Sequence, residues 1–444
     1  MEDAEMTRPA RKMKPSGIPW IGDVPTDWEI CKLKFVVNAF TGNSIKDEEK
    51  DFYSSFPLES SHPYIATKDI DKITGRINYE SGLRTLKRDT LFKLAPKYST
   101  LLCVEGGSAG EKIAFTEQDV SFVNKLCCFY TSSINKKYLF YFLSSSAFKE
   151  CFKSFISGLI GGVPVSVFKN FNISIPPTET QKKIAESLDE KCAEIDALIA
   201  VEEKMIAELK SYKQSVITEA VTRGVPAAAN AARPLKDSGI PWLGSVPAHW
   251  EIRMIKRIFH VFSGTTPKSE NPNYWDGPFS WITPADYKTP DKYVSSGRKN
   301  LTREGLLSCG LTLLPAGSII FSKRAPIGAV AIARSELCTN QGCLSCVPRV
   351  DLNEEYFYFL MSVFTEQFEL LGSGTTFKEI SLSDFSKFLL PFPPKSEQCE
   401  IVKYLNEESN RINSVISVKQ EKITTFQNYK KSIIFEYTTG KRES

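Results

Sequence analysis

The sequence predicts an α/β (α+β) protein of two globular domains joined by two long helices that form an antiparallel coiled coil, arranged as an internal pseudo-two-fold repeat. Three observations predict it. The run from Lys14 to Ile30, with Ser16-Gly17-Ile18-Pro19-Trp20, Gly22, Val24-Pro25 and Trp28-Glu29-Ile30, returns from Lys236 to Ile252 as Ser238-Gly239-Ile240-Pro241-Trp242, Gly244, Val246-Pro247 and Trp250-Glu251-Ile252. The stretch Phe171 to Ile184, with Pro176-Pro177 and Gln181, returns as Phe388 to Ile401 with Pro393-Pro394 and Gln398. Each of these is followed by a long helical pattern free of Pro and Gly, ending near Gly224 and Gly440. A fold built twice makes two similar sites.

Residues 1–13 are polar, carry Arg8, Arg11 and Lys12 and show no period, which reads as a disordered leader. Residues 14–177 form the first domain. Its opening segment has no regular period and reads as packed irregular chain. Short β-rich runs then follow at 64–66, 100–104, 112–115 and 120–123, with Gly turns between them and one helix over 137–152. Residues 178–223 are the first long helix, and the Ala-rich stretch within 224–235 is an exposed linker. The second domain, 236–394, repeats the order with strands at 281–283, 318–322 and 328–333 and a helix over 353–371. Residues 395–441 are the second long helix.

In the first long helix Ile184, Leu188, Ile195, Leu198, Met205, Leu209, Tyr212 and Val216 fall on a and d heptad positions, interrupted by Lys191 and Glu202. In the second, Ile401, Leu405, Ile412, Val415, Phe426, Tyr429 and Ile433 do the same, interrupted by Glu408, Lys419 and Lys422. About 40 residues at roughly 1.5 Å each make a rod near 60 Å. Each stripe needs one long partner, and the other repeat is the obvious one. Glu408 and Lys419 stand at the repeat positions of Lys191 and Glu202 with reversed signs, which suits a parallel pairing as readily as the expected antiparallel one. Separate packing of each helix on its own domain is the alternative.

A chain of 444 residues and formal net charge +4 is large enough for real cores, and its charge permits a polyanionic partner without demanding one. The 11 cysteines are scattered through apolar stretches and read as reduced core thiols of a cytoplasmic protein. No signal-peptide core or membrane-length apolar run is present.

The search for chemistry finds no catalytic residue and no metal site. Gly106 to Lys112 resembles a phosphate loop, but Glu111 separates Gly110 from Lys112 and no Ser or Thr follows. Cys343 and Cys346 have zinc-ligand spacing without a second pair. The three histidines, His62, His249 and His260, have no repeat counterparts, so histidine-based acid–base work is not expected. What remains is a set of donors on the two divergent domains. The candidates are Thr67, Lys68, Arg84, Lys87, Arg88, Ser108, Lys112, Asn124 and Lys125 in the first. In the second they are Thr265, Thr266, Lys268, Thr283, Arg298, Lys299, Arg303, Lys323, Arg324, Asn340, Gln341, Thr375 and Thr376. Cations beside hydrogen-bonding side chains suit phosphate and base-edge contacts. A solvated loop explains any one of them alone; their concentration at repeat-matched turns favours DNA.

The doubled Ser-Gly-Ile-Pro-Trp-x-Gly-x-Val-Pro-x-x-Trp-Glu-Ile segment, the divergent inserts and the Pro-Pro-x-x-x-x-Gln-x-x-Ile junction into a long helix resemble the specificity subunits of type I restriction-modification systems over residues 14–441. That resemblance implies two target-recognition domains, each reading one half of a bipartite double-stranded DNA site, and paired helices that set the gap. It implies docking of two adenine-methyltransferase subunits and of restriction/translocase subunits. S-adenosylmethionine, ATP and Mg2+ are then expected in those partners, with no cofactor on this chain, and the family offers no catalytic residues to transfer. A coiled-coil adaptor without DNA binding and a stand-alone DNA-modifying enzyme are the rival readings.

Overall fold

The computed structural model describes residues 11–156, 161–225, 234–287, 291–324, 326–373 and 378–443. It divides into two compact units, residues 1–203 with 419–444, and residues 204–418. Each unit therefore takes one globular head and half of each long helix. The leader up to residue 10 and most of the Ala-rich linker lie outside the described residues. Met13 and Leu235, which the sequence placed in leader and linker, instead begin short strands. Met13–Pro15 pairs antiparallel with Asp23–Pro25 and Leu235–Asp237 with Ser245–Pro247.

The opening segment is irregular for a local reason. Ser16 Oγ accepts from Ile18 N (3.0 Å) and Ser238 Oγ from Ile240 N (3.1 Å), and such Ser turns compete with regular structure. The segment ends in a wholly buried Trp28 or Trp250. A strand follows and pairs with the one before the double proline: Glu29–Lys32 with Asn172–Ile175, and Glu251–Met254 with Leu389–Phe392.

In the first head Asn38–Thr41, Leu126–Tyr130, Thr100–Cys103 and Ile113–Phe115 lie side by side in one sheet, and Arg84–Leu86, Ser61–Ile65, Val120–Phe122 and Leu94–Ala95 in another. The second head repeats both. Phe259–Ser263, Cys343–Pro348, Ile319–Lys323, Ile327–Ala333 and Tyr293–Val294 make the first sheet, and Lys299–Leu301, Trp275–Ile282 and Cys338–Thr339 the second. Apolar residues of these strands, Ile65, Leu101, Phe122 and Cys128 among them, form the first head's core. The helix predicted over 137–152 is two, Lys136–Ser144 and Ser146–Ser154, because Ser145 leaves helical geometry and caps the second by accepting from Phe148 N at 3.2 Å. The one predicted over 353–371 is likewise split into Glu354–Val363 and Thr365–Leu371.

The long helices span Thr178–Arg223 (46 residues) and Lys395–Thr438 (44 residues). The double-proline junction is held by its glutamine. Gln181 Oε1 accepts from Asn135 N (2.8 Å) while its Nε2 donates to Pro176 O (2.8 Å). Gln398 does the same with Asn353 N (2.8 Å) and Pro393 O (2.9 Å). Asn135 and Asn353 in turn cap the head helices, so one buried amide ties rod to head in each repeat.

The apolar stripe departs from the heptad reading. Leu198, Met205 and Val415 are 49%, 41% and 42% exposed, and Tyr212 and Tyr429 are exposed as well. Ile195 and Ile412, which lie on the predicted stripe, are buried, and beside them Cys192, Ile199, Glu202 and Ile206 in the first helix and Ser409 and Ile423 in the second. Two successive four-residue steps, Ile184 to Leu188 to Cys192, advance the stripe by one position, as a helix of 3.6 residues per turn does against a strict heptad. The second helix makes the same step at Ile401, Leu405 and Ser409. Ile184, Leu188, Ile401 and Leu405 are buried, and Leu209 and Phe426 half-buried. In the first unit Glu202 meets Lys419 (2.9 Å) and Lys422 (2.7 Å), and further back along the helix Asp196 meets Lys430 (2.7 Å), so the paired helices run antiparallel.

The cysteines are mostly interior, but Cys399 is exposed on the second long helix. Cys343 and Cys346 sit in a buried strand within separate apolar clusters. Among the described residues no helix is long and apolar enough to cross a membrane.

Candidate nucleic-acid interface

In each head the strand pairings bring three loops and a hairpin tip to one end. In the first, Ser61–Ile65 and Val120–Phe122 run parallel, so the loops after both emerge together. The end of Asn38–Thr41 and the tip after Cys103 lie beside the start of Leu126–Tyr130. The second head has the same parallel pair, Trp275–Ile282 with Cys338–Thr339.

Glycine permits the close approach at the centre of each end. A Cβ on Gly42 would sit 1.9 Å from the Phe122 carbonyl oxygen, and one on Gly264 would sit 2.1 Å from that of Asn340. The next residue is then fixed by a repeat-matched aromatic donor. Tyr64 Oη donates to Asn43 O (2.7 Å), and Trp281 Nε1 donates to Thr265 O (3.1 Å). An aspartate closes the second loop. Asp69 Oδ2 accepts from Ala66 N (2.8 Å), and Asp286 Oδ2 accepts from Thr283 N (2.8 Å) and Oγ1 (2.6 Å). The third loop docks through Val123 N to Ile65 O (3.0 Å) and Asn340 N to Ile282 O (2.9 Å). The frame is thus the same twice, while the side chains it displays differ.

At this end of the first head stand Thr67, Lys68, Ser108, Lys112, Asn124 and Lys125. Lys68, Asn124 and Lys125 are exposed, whereas Lys112 Nζ donates to Thr67 O (2.7 Å) and braces the loop. Arg84, Lys87 and Arg88 are not here. The antiparallel register Pro63↔Arg84 and Ser61↔Leu86 puts Lys87 and Arg88 at the far end of the sheet. Arg84 Nε donates to Ser61 Oγ (2.7 Å).

At the corresponding end of the second head stand Thr265, Thr266, Thr283, Arg298, Lys323, Arg324, Asn340 and Gln341. Thr266 Oγ1 donates to Gln341 Oε1, and Arg298 Nε lies 3.7 Å from Asp286. Lys323 and Arg324 are shared by Glu379 (2.7 and 3.1 Å), whose carboxyl is held below its usual range, chiefly by the hydrogen bond from Lys323. Lys299 lies over the Trp275 ring (4.9 Å), Lys268 is exposed on the segment leaving the first loop, and Arg303 opens a helix away from the cluster. Thr375 and Thr376 lie outside the described residues. Sequence reasoning missed Gly42, Asn43, Gly264 and Glu379. The parallel Phe40-Thr41-Gly42-Asn43 and Phe262-Ser263-Gly264-Thr265 was the signal for the first three.

This arrangement offers hydrogen-bond donors and cations on a rigid sheet end, in two differing versions. The comparisons with known proteins give it a class. The chain belongs to the type I restriction-modification specificity subunits: the description "Type I restriction modification DNA specificity domain" matches residues 25–211 and 247–425, once in each half. A type I restriction enzyme specificity subunit of Methanocaldococcus jannaschii, MjaIX, is 36% identical over 167 residues, 37% of this chain and 39% of that protein. The chain thus matches well under half of that relative's length. A putative specificity subunit of the same organism, MjaX, is 24% identical over 445 residues, covering 95% of both. A solved chain described under "Structural basis underlying complex assembly and conformational transition of the type I R-M system" has a TM-score of 0.70 at 16% identity, covering 94% of this chain and 98% of that one. That likeness concerns the fold.

Proposed function

We propose that this chain is the non-catalytic DNA-recognition subunit of a type I restriction-modification complex, each head reading one half of a bipartite double-stranded site. The observation that carries the reading is the loop end built twice on one backbone frame with different side chains: Asn43, Lys68, Asn124 and Lys125 in one, Thr265, Thr266, Arg298 and Gln341 in the other. A shared frame with divergent donors suits two base sequences read by one geometry. The rod sets the spacing of the half-sites. The polar outer faces of its helices offer surface for two adenine-methyltransferase subunits and for restriction/translocase subunits, and S-adenosylmethionine, ATP and Mg2+ belong to those partners.

The test is to co-express the chain with its methyltransferase partner and locate methylated adenines across the host genome by single-molecule sequencing. A two-part motif with a fixed gap is expected. Methylation without sequence preference, or none despite an assembled complex, would return the chain to the class of coiled-coil adaptors. Purified alone with Mg2+, ATP and S-adenosylmethionine, the chain should neither cut nor methylate DNA.

A further inference from the structure

A cleft of about 1020 Å³ in the first unit lies between the loop Lys72–Ile77, the two head helices and the adjoining halves of the rod. Its charges are not balanced locally. Asp189 is taken by Lys137 (2.9 Å) and by the Tyr141 hydroxyl (2.6 Å), and Asp196 by Lys430 (2.7 Å). Glu111 holds Lys153 (2.6 Å) and, more loosely, Lys72 (3.9 Å). Glu117 completes the carboxylates of the lining. Arg76, Lys149 and Lys431 also line the cleft, and among the described residues none of the three makes an ion pair. Lys149 is half-buried. Its ammonium is disfavoured first by burial; Glu111 opposes this, and Lys431, Lys153 and Lys72 each add a smaller push in the direction of burial.

A partly desolvated ammonium among like charges is stabilised by any anion that reaches it, and a guanidinium fork beside several ammonium groups matches a multiply charged tetrahedral oxyanion better than a single carboxylate. The volume exceeds what one phosphate needs and falls near the upper end of small-ligand pockets. We propose that this cleft is a binding site for a phosphate-class ligand, with Lys149 at its floor and Lys72, Arg76 and Lys431 around it. The phosphates come either from a free oligophosphate or from the backbone of a duplex. The cleft adjoins the proposed base-reading end through Glu111, the residue before Lys112, but its cations Lys72, Arg76, Lys149 and Lys431 are not among the side chains displayed there.

Isothermal titration of the full chain with inorganic tripolyphosphate, against sulfate at equal ionic strength, tests the proposal without partner subunits. Saturable binding is expected, weakened about tenfold by Lys149→Met, which keeps the aliphatic stem, and similarly by Arg76→Ala on the exposed loop. A mixed-sequence duplex provides the second arm: competition with tripolyphosphate assigns the cleft to backbone phosphate, and independent binding of both assigns it to a free ligand. No heat with tripolyphosphate, or an affinity for it unchanged in both variants, overturns the site, because the heads can take up duplex without the cleft. Neither result depends on whether the heads read a bipartite motif, which the methylation pattern decides separately.

Discussion

Lys419 Nζ lies 2.9 Å from Glu202 Oε2, and these two residues occupy the same position in the two repeats. Glu202 is 6% exposed and also receives Lys422 at 2.7 Å. A buried charged cluster contributes little net stability, because desolvation offsets attraction, but a helix pair shifted along its axis would leave the carboxylate buried without a partner. The reversed signs also act against pairing of like repeats between two chains, since Glu202 would then face Glu202. Glu202→Leu alone, or Lys419→Met with Lys422→Met, should lower the melting temperature by several degrees. The triple apolar replacement should recover it while admitting shifted or intermolecular pairings, visible as oligomers in light scattering. A triple variant as monomeric and as uniquely paired as the parent would remove the register role.

The same cluster gives a pH dependence with a defined sign. Hydrogen bonds from Lys422 and Lys419 hold the Glu202 carboxyl below its usual range. A depressed folded-state value means the contribution is fully present above the unfolded value of about 4.3 and disappears as pH falls through the folded one. The stability difference between the parent and Glu202→Gln should be constant near neutral pH and shrink below about pH 4. Denaturant melts across that range check it.

Seam and surface can be separated by neighbours. Ile206 is buried and Met205 is exposed. Ile206→Asp should destabilise by several kcal/mol, while Met205→Asp should stay within about 0.5 kcal/mol. Equal effects would mean that the stripe does not pack along Ile199, Glu202 and Ile206.

At the loop ends, a methyl group on Gly42 or Gly264 would meet a backbone carbonyl that cannot move aside. Gly264→Ala should disrupt the second head's loop cluster with a cost of about 1–3 kcal/mol. In the assembled complex it should abolish recognition of one half-site, measured as methylation of a substrate library, while the rod still melts as in the parent.

If each head reads independently, replacing residues 31–170 by those of a relative should change one half of the methylated motif and leave the other half and the gap unaltered. Within the first head, Lys125→Ala should reduce the salt dependence of binding by about one ion or relax one base position. Arg88→Ala, at the opposite end of the sheet, should do neither. A loss at Arg88 with none at Lys125 would place the interface elsewhere.

How far the sequence determined this protein follows from the range of the interactions involved. The repeat, the α+β heads and the two long helices were legible because each rests on local signals: a Ser turn at Ser16, a double proline, a helical period uninterrupted by glycine. Gln181 and Gln398 showed themselves as repeat-matched residues, but their joining of a proline carbonyl to a helix cap was a matter of three-dimensional placement. The tertiary structure alone decided helix direction, since reversed signs at Glu202 and Lys419 satisfy either orientation. It also moved the seam from Leu198 and Met205 to Ile199 and Ile206, because the drift of a 3.6-residue turn accumulates where no heptad marks it. Strand direction separated Arg88 from Lys125: Arg84–Leu86 runs antiparallel to Ser61–Ile65 and Val120–Phe122 parallel to it, so the loops that follow them leave at opposite ends of the sheet.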